Sequence, residues 1–396
     1  MIDKKSLIIY STALMDPLII SGYNPLVQVL KADFNVNIEL IALSLTFHML
    51  PFALMCLFTG TLSDLYYRPR LYMYGLILST FGSLLGAFSP NISIFLLSRI
   101  VQGIASSLIM PIASAIIGDV TPKEGIGKAM GLFGVFISAG SFAGPLISGF
   151  LAGVNWRLIP IITGIYSLVG AIFIRMLYGA GEASQGKGTL SYVFQQFKHA
   201  NRNILLVSIG GFILFFSYQG IQPLISETLS LSPHALSNAE IGLIFAAIGF
   251  MGLPVSFIGG LLIDKIGSKK TMLFSFSTMM PIRLLLILAD KSLWPYVISL
   301  LTYNSINRVA FNALQALSIE TMPQARGTGS SIFNFIRFIG FGLGPMLSTI
   351  YLLYGMDTIW LATSFLLSFG ILCSVLLRLP SEPTVSTKPF PPSSKV

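Results

Sequence analysis

The sequence predicts an all-α integral membrane protein, with twelve transmembrane helices arranged as two six-helix parallel repeats. Three observations lead to this fold class: the composition, a series of long apolar runs, and motifs that recur in the second half of the chain. Of the 396 residues, 54% are hydrophobic and only 10% are charged. A water-soluble globule needs a larger polar surface than this, so lipid must surround most of the chain.

Twelve apolar runs can each cross the membrane, because a helix of about 20 residues spans a ~30 Å hydrocarbon core. The runs are continuous, whereas barrel strands are alternating segments of about 10 residues, so helices are expected. In the first half the spans are predicted at residues 7–30, 41–62, 71–89, 92–118, 127–153 and 158–177. In the second half they are predicted at residues 204–224, 241–263, 271–289, 293–319, 327–353 and 358–377.

A polar segment divides the spans into two domains. Residues 178–203 are rich in Gly, Ser, Gln and Lys, which predicts a cytoplasmic linker. It joins an N-terminal six-helix bundle, residues 1–177, to a C-terminal six-helix bundle, residues 204–379. The tail, residues 380–396, is rich in Pro and Ser, a composition typical of disorder. We therefore expect a disordered cytoplasmic tail.

Lysine and arginine are distributed unevenly between the two sets of loops. Most of the 24 lie on the side of the N-terminus, whereas Lys31, Arg157 and Lys291 lie on the other side. Because Lys and Arg accumulate in cytoplasmic loops, both termini of this multi-pass chain are predicted to be cytoplasmic, in the inner (plasma) membrane of the cell. The net charge of +9 then reflects topology. Nucleic-acid binding, which needs a basic face on a soluble domain, is not expected.

Two motifs recur at an offset of 200 residues. GTLSDLYYRPR, residues 60–70, follows span two, and GLLIDKIGSKK, residues 260–270, follows span eight, the equivalent span. Gly140, Gly144 and Pro145 in span five match two glycines and a proline in span eleven, and they are expected to bend the helix or to allow close packing. The repetition indicates an internal duplication. Because each half has an even number of spans, the repeats are parallel.

These motifs resemble those of the major facilitator superfamily, over nearly all of residues 7–377. The family's loop motif has the form G-x-L-x-D-R-x-G-R-K; Gly60, Leu62, Asp64 and Arg68 match it, whereas Leu65 departs from it. RIVQG at residues 99–103 is similar to the R-x-x-Q-G motif of proton-driven exporters, and GSFAGP at residues 140–145 to the G-x-x-x-G-P motif of antiporters. The resemblance implies the major facilitator fold and the twelve-span drug:proton antiporter branch.

The duplicated loop motif predicts a gate at the cytoplasmic ends of the two halves. A carboxylate at the end of a span can face the positive N-terminal end of another helix. Asp64 and Asp264 are therefore expected to latch the halves in one state and release them in another. The alternative is that both are only charges at the membrane surface. The predicted gating motif comprises Gly60, Asp64, Arg68, Gly260, Asp264 and Lys265.

Asp16 is the only carboxylate deep inside a predicted span. At ~1.5 Å per residue, it lies roughly 15 Å into span one from the cytoplasmic side, and Arg99 lies roughly 10 Å into span four from the other side. Their depths differ by only a few Å in a ~30 Å core, so a pairing is geometrically plausible. Because a charge inside the hydrocarbon is usually functional, we expect Asp16 to exchange protons and Arg99 to tune its proton affinity.

The most concentrated sets of polar side chains occur in spans one, four, seven and ten, which line the central cavity in the family fold. Substrate is therefore expected to bind between the halves near the middle of the membrane. About half of these side chains are expected to serve instead as helix–helix hydrogen bonds. Arg337 lies in span eleven, where it lines the cavity or binds the domain interface. The predicted cavity residues are Asn24, Gln102, Tyr218, Gln219, Gln222, Asn304, Asn307, Arg308 and Arg337.

The other conspicuous side chains receive simpler interpretations. Arg283 can snorkel toward the surface, and Glu227 is expected to be solvated at the outer rim. His48 is expected to be a packed, hydrogen-bonded residue, and a proton carrier is the alternative. Cys56 and Cys373 lie inside spans as packing residues. No G-x-x-x-x-G-K-[ST] loop occurs, so ATP is not the expected energy source. Without metal-ligand spacing or a nucleophile with a histidine partner, no catalytic site, metal or cofactor is expected.

The sequence thus predicts a secondary transporter that works by alternating access, with proton-coupled efflux of small, largely apolar compounds. Its expected partners are a small-molecule substrate, protons and membrane lipid, and it is expected to be a monomer. Two alternatives remain open. One is a carrier of organic anions or metabolites, which the four intramembrane arginines against one deep carboxylate suggest. The other is a non-transporting membrane sensor with the same fold.

Overall fold

A computed structural model describes residues 4–122, 125–179, 200–231, 233–289, 291–323 and 325–378. Within these ranges the chain is helical and contains no β-strand, which confirms the all-α class. Among the described residues, nine segments are helical, long and apolar enough to cross a membrane, and one of them, Gly327–Leu376, contains two spans. Two further helices, Arg68–Ala87 and Leu293–Glu320, are 20 and 28 residues long and complete the twelve.

Spans one to six form the N-terminal half. Span one consists of Lys4–Ala13, Met15–Ser21, the 3-10 turn Asn24–Leu26 and Val27–Phe34. Spans two to six are Ile38–Leu65, Arg68–Ala87, Ile92–Val120, Ile126–Ala152 and Leu158–Tyr178. We call the end of the bundle that carries Lys5, Arg68, Lys265 and Lys269 the basic face, and the other end the opposite face.

Spans seven to twelve form the C-terminal half. Spans seven to ten are Arg202–Ser230, Asn238–Ile266, Ser268–Ala289 and Leu293–Glu320. Span eleven runs from Arg326–Leu343 through the 3-10 turn Gly344–Met346 into the helix Leu347–Leu376. Gly355, at φ 77°, interrupts that helix and separates span eleven from span twelve, because glycine adopts this left-handed region without strain. The predicted linker falls mostly, and the predicted tail entirely, outside the described residues.

Side-chain caps lie at the first turn of several spans. The side chain of Asn91 accepts a hydrogen bond from the amide of Ile94 at the start of span four. At the start of span eight, Ser237 and Glu240 form a reciprocal capping box. Each cap satisfies backbone N–H groups that have no partner within the first turn. The caps therefore determine where these helices start.

Span one is broken, although the sequence predicts one continuous helix over residues 7–30. Its first segment ends at Ala13 and its second at Ser21. Each end lies four residues before a proline, Pro17 or Pro25. Proline lacks the N–H that would bond the carbonyl four residues earlier, and its ring clashes with that carbonyl. The two breaks lie where Pro17 and Pro25 remove helix hydrogen bonds, and they bracket Asp16. Prolines inside spans two and four, Pro51 and Pro111, leave those helices continuous.

Glycines let spans five and one touch. A Cβ atom on Gly140 would overlap the carbonyl oxygen of Leu14, and one on Gly144 would lie 2.5 Å from that of Leu18. Without side chains at these two positions, the backbones approach closely. The matching glycines of span eleven lie in the same way against the backbone of span seven. The duplication is therefore visible in the packing as well as in the sequence.

The two halves meet mainly toward the opposite face. Spans five and eight touch where a Cβ atom on Gly249 would lie 2.6 Å from the carbonyl oxygen of Ser141. Spans two and eleven meet through the rings of Phe52 and Phe338, whose centroids are 4.7 Å apart. Near the basic face, a Cβ atom on glycines of spans two, four, five, eight and eleven would meet no described atom within 4 Å. Among the described residues, the halves are therefore in contact from the middle of the bundle toward the opposite face and separated toward the basic face.

Candidate functional site

Asp16 is the first member of a buried polar chain that connects three spans. It is 6% exposed, and the hydroxyl group of Ser106, in span four, donates a hydrogen bond to its Oδ1. The same hydroxyl oxygen lies 3.3 Å from Nε2 of His48 in span two. Ser106 and His48 are also buried. We call these three residues the Asp16 chain.

Gly103 determines how closely spans two and four approach beside this chain. A Cβ atom on Gly103 would overlap the carbonyl oxygen of His48, so the contact requires glycine. Ser106 lies three residues further along the same face of span four, which places it beside the His48 ring. The RIVQG motif thus supplies the glycine that assembles the chain.

Arg99 does not contact Asp16 directly. Its Nη1 donates to Oε1 of Gln102 at 2.5 Å, and Gln102 in turn donates to the hydroxyl oxygen of Ser83 at 3.0 Å. The guanidinium carbon lies 4.5 Å from the ring centre of Tyr23. Arg99 forms no ion pair with any residue that the structure describes. The plausible pairing is therefore not found, because Gln102 holds the guanidinium while Ser106 holds the carboxylate.

A cavity of about 130 Å³ lies between spans seven, eight and ten, with one side chain from span five. Arg308 is the one charged residue among the described residues that line it. Its Nε donates to the hydroxyl oxygen of Ser256 at 3.0 Å. Uncharged polar residues and aromatic or aliphatic residues form the rest of the lining: Ser141, Tyr218, Asn304, Ser305, Asn307, Phe215, Ile248, Gly249, Met251, Gly252 and Phe311.

Only part of the predicted cavity set meets in this cavity. Tyr218, Asn304, Asn307 and Arg308 line it. Gln222 lies behind them and donates to Asn304 at a distance of 3.4 Å. The structure places the remaining predicted residues elsewhere: Asn24 in the 3-10 turn of span one, Gln102 beside Arg99, Gln219 buried in span seven, and Arg337 among phenylalanines.

Phenylalanine rings surround Arg337. Its guanidinium carbon lies 4.0 Å from the ring centre of Phe338, 4.8 Å from Phe215 and 4.9 Å from Phe311. Its Nε donates to Oδ1 of Asn334 at 3.0 Å. The faces of aromatic rings attract a cation, most strongly where water is excluded. Arg337 therefore lies behind Phe215 and Phe311, which line the cavity, and does not line it itself.

Arg283 does not snorkel. It is fully buried in span nine, and its Nη2 donates to the hydroxyl oxygen of Tyr303 at 2.7 Å. The Tyr303 ring also lies 5.0 Å from the guanidinium carbon. The side chain therefore turns toward span ten, where a polar partner is available inside the C-terminal half.

Glu227 joins the two halves at the opposite face, although the sequence suggested a solvated residue. It lies near the end of span seven and is only 6% exposed. Lys31 and Gln28, both in the last segment of span one, each donate to its carboxylate at 2.5 Å. We call Gln28, Lys31 and Glu227 the opposite-face latch. One indication of this contact is present in the sequence: Lys31 and Glu227 both lie at the ends of spans on the same side of the predicted membrane.

The predicted gating motif lies at the basic face. Arg68 forms an ion pair with Asp119, at the end of span four, with an N–O distance of 2.6 Å. Asp264 and Lys265 are exposed, whereas the side chain of Asp64 lies outside the part that the structure describes. A Cβ atom on Gly60 or Gly260 would meet no described atom within 4 Å. In this conformation, therefore, no described helix packs against the two glycines of the motif.

Comparison with known proteins identifies relatives over most of the chain. A sequence profile of the Major Facilitator Superfamily matches residues 9–201 and 207–395. The chain is 26% identical over 387 residues to the riboflavin transporter RibZ of Clostridioides difficile strain 630, with 83% of each chain covered. It is 28% identical over 336 residues to the multi-drug resistance efflux pump PmrA of Streptococcus pneumoniae, with 80% of each chain covered.

Solved structures share the fold. A D-xylose-proton symporter superposes with a TM-score of 0.74, covering 95% of this chain and 97% of that chain. A bacterial homologue of the human lysosomal transporter Spinster superposes with a TM-score of 0.71, covering 94% of each chain. Both are 17% identical to this chain. At 17% sequence identity, the structural similarity shows a shared fold and nothing about function.

Proposed function

The chain belongs to the major facilitator superfamily, so it is a multi-span membrane transporter of small molecules and not an enzyme, and we propose that it is a proton-coupled exporter. In this proposal it lies in the inner (plasma) membrane with its basic face in the cytoplasm. It moves small, largely apolar compounds outward while protons move inward. The observation that carries the proposal is Asp16, the one buried carboxylate without an ion pair among the described residues.

Alternating access is supported by the uneven contact between the halves. They touch toward the opposite face, where the latch also lies, and are separated toward the basic face. In the proposal this conformation is open to the cytoplasm and can admit a compound from there. Rocking of the halves about the cavity between spans seven, eight and ten then exposes the same site to the outside.

Proton coupling is supported by the position of Asp16 near the middle of the membrane. Moving a charge into a less polar environment changes the balance between its ionised and neutral forms. Alternating access changes the water around such a site, so Asp16 can bind a proton in one conformation and release it in the other. Glu227 is less suited to this role because Lys31 already neutralises it.

The substrate class is supported by the cavity lining and by the relatives. Aromatic and aliphatic side chains from Phe215, Ile248, Met251 and Phe311 form much of the wall, and a few polar groups lie between them. Such a combination suits compounds with a large apolar surface. Two of the relatives found are a multi-drug resistance efflux pump and a riboflavin transporter. From the cavity lining we infer that this chain carries small, largely apolar compounds.

The test begins with growth inhibition and transport of a chemically mixed compound panel, in cells with and without the protein. For a compound that responds, the purified protein is reconstituted into vesicles and a pH gradient is imposed. Asp16→Asn should abolish accumulation driven by the gradient and leave downhill exchange intact. Asp357→Asn, which changes an exposed carboxylate, is the matched control and should transport normally. If Asp16→Asn still concentrates the compound with normal pH dependence, Asp16 is not the coupling site.

A carrier of organic anions is the second candidate, and Arg308 is the observation that favours it. Arg308 is the one charge on the described cavity wall, and a guanidinium can bind a carboxylate or phosphate through two parallel hydrogen bonds. Its Nε is used by Ser256, which leaves the terminal nitrogens for a ligand. If carboxylate and phosphate compounds alone respond in the panel, this candidate replaces the exporter of apolar compounds.

A further inference from the structure

His48 is a buried titratable residue to which the proposed coupling mechanism gives no role. Its Nε2 lies 3.3 Å from the hydroxyl oxygen of Ser106, which donates to Asp16. Its Nδ1 has no hydrogen-bond partner among the described residues. A hydroxyl group donates and accepts at the same time, and an imidazole ring can gain a proton at one nitrogen and lose one at the other. The Asp16 chain therefore contains the groups that a proton relay requires.

We propose that Asp16 exchanges its coupling proton through Ser106 and His48, and that Nδ1 of His48 receives the proton first. The inference rests on the proposed proton coupling at Asp16. In the unloaded state, Nε2–H of His48 donates to the Ser106 oxygen, and the Ser106 hydroxyl donates to the Asp16 carboxylate. This orientation follows from the geometry, because the single hydroxyl hydrogen of Ser106 is used by Asp16.

The transfer is balanced in atoms and charge. Nδ1 is buried in this conformation, so the proton arrives from a hydronium ion in a conformation that admits water to Nδ1. The hydronium ion becomes water and the ring an imidazolium, and Nε2 then passes its proton to Ser106 while Ser106 passes its own to Asp16. One N–H bond forms and one breaks, an O–H bond is exchanged on Ser106, and an O–H bond forms on Asp16. The ring ends neutral, with its hydrogen on Nδ1. Release follows the same steps in reverse, so His48 returns to its starting tautomer.

Both end states preserve the two hydrogen bonds of the chain. When loaded, Asp16 donates to Ser106 and Ser106 donates to Nε2 of His48; when unloaded, both bonds point the other way. Arg99 does not relay in this scheme, because an arginine stays protonated in proteins and its Nη1 is held by Gln102. A direct Asp16–Arg99 contact would not offer such a reversible path.

Among the described residues, no further titratable side chain is hydrogen-bonded to the Asp16 chain. Span five packs on span one through Gly140 and Gly144, and its ionisable residue, Lys128, lies near its start at the basic face. Three other titratable or charged groups interact electrostatically with the Asp16 chain: Arg99 of span four, Cys56 of span two and Tyr72 of span three. Tyr23, Arg337, Tyr166 and Tyr178 interact with these three groups.

A pH jump followed by time-resolved infrared spectroscopy tests the relay without knowledge of the substrate. The full chain is reconstituted in lipid, and the carboxylic acid band of Asp16 is identified by its loss in Asp16→Asn. Ser106→Ala and His48→Gln should slow the rise of this band at least tenfold, whereas its final amplitude persists. Ser106→Thr retains a hydroxyl group and should restore the rate.

Ser107→Ala is the matched control. Ser107 is a buried neighbour on the same helix, and its hydroxyl bonds only the backbone oxygen of Ile104, at 2.6 Å, so the rate should not change. Rates within twofold of the parent protein in both Ser106→Ala and His48→Gln would overturn the relay while leaving proton coupling at Asp16 intact. If His48→Gln does not fold, Ser106→Ala decides alone. If Asp16→Asn removes no band, the relay and the proposed coupling both fail.

Discussion

Replacing Glu227 with glutamine tests whether the opposite-face latch keeps the halves together on that side. Its carboxylate accepts hydrogen bonds at 2.5 Å from Lys31 and Gln28 of the other half. The side chains of Glu227 and Lys31 are 8% and 24% exposed, so water screens the pair in part. A hydrogen bond to a charged group contributes about 1.5–3 kcal/mol and an exposed ion pair about 0–1 kcal/mol, so we assign the latch about 1–2 kcal/mol. Glu227→Gln should therefore raise the population that is open toward the opposite face by about 5- to 30-fold.

Distances between spin labels report this population directly. Val154 and Trp294 lie at the opposite face in different halves and are 77% and 72% exposed, so labels there should not disturb packing. The measurement uses a variant in which Cys56 and Cys373 are replaced, because both are free thiols. In Glu227→Gln, a longer distance should gain weight in the distribution as the halves separate on this face.

Asp33→Asn is the control for the loss of an ion pair on the same face. Asp33 pairs with Arg157 at 2.6 Å, and both belong to the N-terminal half, so breaking this pair should not move one half against the other. The reasoning is refuted if Glu227→Gln leaves the distance distribution unchanged. It is equally refuted if Asp33→Asn changes the distribution as much.

Three other substitutions test the gate, the cavity and the helix packing. If Asp64 belongs to a cytoplasmic latch, Asp64→Ala should favour the inward-open state. Cysteines introduced in the basic-face halves of spans five and eleven should then be labelled faster. If labelling and transport are both unchanged, Asp64 is only a charge that marks the membrane surface. Arg308→Lys keeps the charge but loses the planar fork, so transport of an apolar compound should fall less than tenfold, whereas a larger loss of affinity together with a preference for carboxylate or phosphate compounds supports the anion carrier. Gly144→Ala places a Cβ atom 2.5 Å from the Leu18 carbonyl oxygen, so the unfolding temperature in detergent should fall by about 2–8 °C; Gly131→Ala, in open space, should hold or raise it, and equal effects would contradict the packing argument.

Apolar runs predicted the spans well because a backbone surrounded by lipid can satisfy its hydrogen bonds in few conformations. Without water, each N–H and C=O group must bond within its own segment, so a long apolar run becomes a helix. The predicted spans 92–118 and 158–177 correspond to the helices Ile92–Val120 and Leu158–Tyr178. Span one departed from its prediction even though the signal was present. Both of its early segments end four residues before a proline. The proline rule alone does not predict the breaks, because the helices of spans two, four and five continue through a proline.

The contacts of the site were not predictable from spacing, because they depend on how separate spans face each other. Ser106 is one of several serines buried in span four, and only its position between His48 and Asp16 distinguishes it. Glu227 and Lys31 are 196 residues apart in the chain, and no repeat or motif connects them. Helical periodicity places a side chain on a face, but it does not say which neighbouring span covers that face.

If Asp16 is the coupling site, a modest difference in its proton affinity between the two conformations would match the energy of the latch, which is what a reversible transporter requires. A ligand shifts a conformational equilibrium only by the difference in its affinity for the two states. A proton that binds Asp16 tenfold more tightly in one conformation than in the other contributes about 1.4 kcal/mol. This is similar to the ~1–2 kcal/mol of a partly exposed, charge-assisted latch. Such a tenfold difference lets a single proton offset the latch. A latch of about 5.5 kcal/mol would instead require the proton affinity of Asp16 to differ by about 10⁴-fold between the two conformations.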